Sequence, residues 1–171
     1  MAYQPGDLVI YGAEGPCTVQ AVGDPGISPR TKGRQYYTLK PFYRKNSMLY
    51  VPVEIAEDHL RPVLSREEAL ALIDRFADTE EVDVADERRR EQDYRDILYR
   101  KGCISCEDLV RITKTIYQRR QDRADSGKRL TEVDQKYFRL AQEKLLEELS
   151  VALHLSIEET DKYIYERLEL V

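Results

Sequence analysis

The stretch Leu60–Ile73, "LRPVLSREEALALI", separates two kinds of structure in this chain. Before it, residues run in short blocks rich in Val, Ile, Thr and Tyr. After it, apolar residues return every third or fourth position, the spacing of one helix face. At the joint, Ser65-x-x-Glu68 has the form of a capping box. In that motif the hydroxyl and the acidic side chain satisfy backbone donors that a helix start leaves free. Ala69, Leu72, Ile73 and Phe76 then supply the helical rhythm.

Working back from the joint, "DLVIY", "CTVQAV", "QYYTLKPFY" and "MLYVPV" predict four or five short strands. Gly12, Gly15, Gly23, Gly26 and Gly33 stand between them, where turns call for positive φ or close backbone approach. So many strands in so few residues predict a small, strongly bent sheet or SH3-like barrel over residues 1–64. The segment "GDPGISPRTKGRQ" reads as a long, mobile hairpin tip.

Working forward, Ser105-x-x-Asp108, Thr131-x-x-Asp134 and Ser156-x-x-Glu159 repeat the capping pattern or its Asp variant. Each precedes an apolar rhythm: Leu109/Ile112/Ile116, then Val133/Tyr137/Leu140/Leu145/Leu149, then Ile157/Ile164/Leu168. A further helix carries the arginine triplet Arg88–Arg90 and ends at Gly102, a natural residue for a helix stop. The expectation is a five-helix domain over residues 65–171, with helices at 66–77, 87–101, 106–122, 132–152 and 157–169. The fold class is therefore α+β, a small β module followed by a helical one. The intervening "DTEEVDVADE" reads as a solvated, flexible connection.

The formal net charge is −5 over 171 residues, but it is unevenly placed. Residues 88–129 hold thirteen Lys/Arg against seven Asp/Glu, a net +6, whereas 65–87 hold two against nine, a net −7. A basic block inside an acidic chain is the electrostatic mark of a polyanion contact. No apolar run reaches the roughly 20 residues that span a bilayer, and "MAYQPGDL" has no signal-peptide core, which predicts a cytoplasmic protein without a membrane partner. Three cysteines make a disulfide framework unexpected there.

Enzyme-like motifs are few. "CISC" (Cys103–Cys106) could serve redox exchange or half a zinc site, but it lacks a βαβ setting, and His59 and His154 are isolated. No phosphate loop, nucleophile elbow or histidine pair for a metal is present. A non-enzymatic protein without a cofactor is expected. The basic clusters remain: Arg88–Arg90 with Arg95, then Arg119, Arg120 and Arg123 at a helix end, followed by Lys128 and Arg129. Cations at a helix C-terminus also complement its dipole, so composition alone leaves their role open.

The order of elements resembles the CarD/CdnL family of bacterial transcription regulators. The matching positions are Gly6, Asp7, Val9, Tyr11, Gly15, Val19, Leu39, Lys40, Val51, Pro52 and Arg61, and the helical sequence is similar to about residue 155. The resemblance implies a Tudor-like module that docks on the RNA polymerase β subunit through a sheet edge, mapped here to residues 36–52. Tyr37, Lys40 and Tyr50 are then the outward candidates, with Arg30 or Arg34 at the hairpin. It further implies a monomer whose helical domain contacts the minor groove and phosphates of promoter DNA beside the melted bubble and favours the open complex. The corresponding contacts would be Arg88, Arg89, Arg90, Arg95, Arg119, Arg120, Arg123 and Lys136.

Two departures stand out. Tyr50 lies where many members have arginine, and the tryptophan that many members wedge beside the bubble has no counterpart, its place falling at or near Arg88. An alternative reading is therefore an adaptor that docks on polymerase but offers its helices to proteins instead of DNA.

Overall fold

Side-chain alternation organises the first part of the chain. In the computed structural model, which describes residues 2–44, 46–84, 86–100 and 102–169, β1 (Leu8–Tyr11), β2 (Gly15–Gly23), β3 (Tyr36–Pro41), β4 (Leu49–Pro52) and β5 (Leu60–Pro62) form one antiparallel sheet of order β4-β3-β2-β1-β5. Every second residue faces one side. Val9, Cys17, Val19, Tyr37, Leu39, Val51 and Leu60 thereby meet in one cluster with Ala56. The sheet has two edges, β4 and β5, and β3 is interior. On β2 the register shifts between Val19 and Ala21, a bulge that bends the strand.

Several positions shared with the CarD/CdnL pattern are explained by this packing. Val9, Val19, Leu39 and Val51 are core residues with at most 1% exposure. Asp7 closes the entry turn, accepting from the Gln4 amide at 2.8 Å, while its carbonyl accepts from Val19. Gly15 sits at φ +81°, where a side chain would be strained.

The expected mobile hairpin tip is tied together. Asp24 accepts from the amides of Gly26 (2.8 Å) and Gly33 (3.0 Å), so its two carboxylate oxygens staple the two sides of the loop. The Gly26 bond, and then that from Gly33, hold its carboxyl below the usual carboxylate range.

The described residues contain six α-helices where five were expected. The extra one is α1 (Ala56–His59), a single turn beside β5 whose residues show no helical rhythm. The others are α2 (Arg66–Asp74), α3 (Arg90–Tyr99), α4 (Cys106–Asp125), α5 (Glu132–Leu153) and α6 (Ile157–Glu169). The chain divides into two compact units, Met1–Val63 and Leu64–Val171.

All four capping signals form. Ser65, Ser105, Thr131 and Ser156 accept from the amides of Glu68, Asp108, Asp134 and Glu159 at 3.0–3.2 Å. Each such cap contributes about 1 kcal/mol. The helices bury Leu72, Ile73, Tyr94, Leu98, Leu109, Ile112, Ile116, Leu145 and Leu149. At the end of α5, His154 adopts φ +56° so that the following Leu155 amide can reach the Ser150 carbonyl at 3.0 Å. Glycine is the usual residue in that conformation.

Two sequence expectations change here. The acidic connection is not a loose tether: Val82 and Val84 are buried, and the Val82 amide donates to Thr115 Oγ1 at 2.8 Å. Lys114 Nζ adds bonds to the carbonyls of Ala77 and Thr79, both 2.6 Å. The helix expected from residue 87 begins at Arg90, because Asp86 Oδ1 takes the Arg88 amide at 3.0 Å and its carbonyl takes that of Arg89. Such a local turn competes with the helix for the same donors.

Candidate functional site

In the helical unit the arginine triplet splits. Arg88 and Arg89 lie exposed in the turn before α3, and Arg89 pairs with Asp93 at 3.9 Å. Arg90, 3% exposed, turns inward. Its Nε and Nη2 donate to the Val84 carbonyl at 3.3 and 3.2 Å, and its Nη1 lies 3.9 Å from Asp134 and 3.8 Å from Glu87. Expected at a DNA surface, Arg90 instead fastens the buried valine segment to α3.

Asp134 organises this interior. Its Oδ1 accepts from Tyr94 at 2.8 Å and its Oδ2 from Arg119 Nε at 2.9 Å, with no exposure of its own. A charge so buried persists only with partners of this kind. Burial first, and then the Asp134 carboxylate, push the Tyr94 hydroxyl well above the usual tyrosine range. The structure thus spends Arg119 on the fold as well. Arg123 donates from Nε to the Arg129 carbonyl at 2.6 Å and lies 3.8 Å from Glu87.

The remaining expected DNA contacts stay at the surface. Arg95 and Arg120 are exposed, the latter with its guanidinium 4.7 Å from the centre of the Phe138 ring. Lys136 is exposed, pairs with Glu91 at 3.3 Å and sits 5.3 Å from the centre of the Tyr137 ring. Arg139, exposed on α5, joins Lys128 and Arg129 beside Arg120, a group the one-dimensional charge count leaves scattered.

In the sheet unit, Lys40, Arg30 and Arg34 are exposed and Tyr50 is half-buried on the edge strand β4. Tyr37 departs from expectation: it points into the core at 2% exposure, its hydroxyl accepting the Tyr3 amide at 3.1 Å. The period of two that turns Lys40 outward turns Leu39 and Tyr37 inward. Sequence reading also passes over Phe42, Tyr43 and Met48, which are 42, 39 and 45% exposed between β3 and β4. They resemble strand residues in the sequence, and only the turn shows them uncovered. Apolar side chains gathered beside an open edge mark an interaction surface.

Cys106 serves the fold. Cys106 is buried and its thiol donates to Glu148 Oε1 at 3.1 Å, while Glu148 Oε2 accepts the Leu64 amide at 3.0 Å. Among the described residues no three His, Cys, Asp or Glu are grouped to hold a metal ion, and no helix is long and apolar enough to cross a membrane.

Residues 3–64, a little over a third of the chain, match the family model of the CarD-like/TRCF RID domain. No curated protein shows a significant match to the chain. The matched span coincides with the sheet unit and carries its open β4 edge. A domain of this type points to a transcription-associated protein that interacts with RNA polymerase through the β subunit.

Proposed function

We propose that the chain is a non-enzymatic transcription regulator that docks on the RNA polymerase β subunit through β4 and contacts promoter DNA through its helical unit. The observation that carries this reading is the RID-type match over a sheet whose β4 edge is open. A strand of the partner can extend that edge by main-chain hydrogen bonds, with Lys40, Tyr50 and the apolar turn of Phe42 and Met48 selecting it.

The DNA contact is proposed at Arg88 and Arg89, with Arg95 on the following helix. Two cations in an exposed turn can enter a narrow minor groove beside the melted bubble. They cannot unstack a base step as an apolar wedge does, so stabilisation of the open complex would rest on phosphate and groove electrostatics. Pull-down of the β subunit by wild type and Met48→Asp tests docking. The salt slope of binding to a melted-bubble promoter fragment and open-complex lifetime under heparin challenge test the DNA step.

A second reading, a polymerase-bound adaptor for proteins, draws support from the internal commitment of Arg90, Arg119 and Arg123. Binding to the promoter fragment with no dependence on salt, or no binding at all, favours the adaptor.

A further inference from the structure

Two grooves of the helical unit meet at Phe138 and differ in character. One, of about 490 Å³, is walled mainly by Phe76, Ala77, Tyr117, Phe138, Tyr165 and Leu168, with Thr113 and Lys114 completing its lining. The other, of about 510 Å³, is rimmed by Arg120, Lys128, Arg129 and Arg139. No carboxylate lines either among the described residues. In a chain of net charge −5, a four-cation wall without an acid is a local exception.

The backbone builds this juxtaposition. Tyr117 and Arg120 are three residues apart on α4 and so share one face. Phe138 and Arg139 are neighbours on α5; Phe138 lines both grooves and Arg139 only the cationic one. Gly127, at φ +71°, lets the Lys128 amide close on the Arg123 carbonyl at 2.7 Å, which turns Lys128 and Arg129 back beside the helix end.

We infer that this paired groove is a docking surface for an acidic protein segment that inserts bulky apolar side chains beside Tyr117 and Phe138 and lays carboxylates along Arg120, Lys128, Arg129 and Arg139. Charge complementarity selects the acidic partner. The apolar half argues for side chains instead of nucleobases. Its wall includes Ala77 and Leu168, and the Arg120 guanidinium sits over the Phe138 ring. Bases would need open ring faces on which to stack. Tyr117, 53% exposed, has the place and type of an interface anchor.

The test measures polarisation of a labelled peptide that alternates Phe and Leu with glutamates, against the same peptide with lysines and against labelled oligothymidine. The glutamate peptide should bind, the lysine peptide should not, and added salt should weaken binding. Tyr117→Ala and Arg139→Glu should each loosen it about fivefold or more, while Arg88→Glu leaves it unchanged. Both altered side chains are exposed; should either variant melt early, Gln142→Glu in the same cationic groove replaces it. The proposal is overturned by equal binding of both peptides, by no binding, or by indifference to the substitutions. It is equally overturned by preferred binding of oligothymidine that the same variants abolish, or by a dimer that Tyr117→Ala dissociates. The site is separate from Arg88 and Arg89: unchanged promoter binding in Arg88→Glu with peptide binding intact removes the DNA reading and leaves this one.

Discussion

Arg119 Nε donates to Asp134 Oδ2 at 2.9 Å, joining the C-terminal half of α4 to the first turn of α5. Tyr94 and Arg90 approach the same carboxylate from α3, so three helices share one buried charge. Removing that charge while leaving its partners buried is the costly direction. Asp134→Ala should destabilise the helical unit by about 3–5 kcal/mol in urea unfolding. A loss below about 1 kcal/mol would mean that the partners rehydrate freely.

Tyr94 gives the unit an alkaline limit. Its pKa is raised in the fold, so its stabilising contribution is complete below the unfolded tyrosine value of about 10 and fades as pH rises above it. Unfolding free energy should decline above about pH 10 in wild type. In Tyr94→Phe that decline should be shallower, on a baseline lowered by about 1–3 kcal/mol for the lost bond to Asp134. Identical alkaline slopes would show that Tyr94 ionises as it does in the unfolded chain.

The split triplet predicts opposite phenotypes for adjacent arginines. Arg88→Glu with Arg89→Glu should fold normally and lower the salt slope of promoter binding by about two units, one for each phosphate contact. Arg90→Ala should instead lower the melting temperature, because it strips the Val84 carbonyl of its donors and uncovers a packed site. Normal melting of Arg90→Ala would remove its structural assignment.

His154 bears a conformation that costs a non-glycine residue about 1 kcal/mol or more. Its side chain is exposed. His154→Gly should therefore stabilise the fold by roughly 0.5–1 kcal/mol, less what glycine gains in unfolded-state entropy. A lower melting temperature would show that the imidazole makes a contact worth more than the strain.

Local rules made much of this fold legible in the sequence. Each of Ser65, Ser105, Thr131 and Ser156 caps its helix, because a hydroxyl and an amide three residues on are brought together by the first helical turn itself. The strand runs that hold Val9, Val19, Leu39 and Val51 were legible too, and in the structure alternation packs these residues in one core. Where the signal was shorter than a turn, as in α1, the sequence showed no element, and where a competing bond set the boundary, as at Asp86, it placed the helix start three residues early.

What the sequence by itself determined, then, was the order of elements, their caps and their apolar faces, since these depend on neighbours within four residues. Only the tertiary structure decided which charges are spent. Arg88, Arg89 and Arg90 are identical in composition, yet the first two face solvent while the third is buried against Val84 and Asp134, residues 6 and 44 positions away in the chain. A buried cation is stable only where such partners converge, and that convergence comes from packing three helices together, which no local pattern encodes.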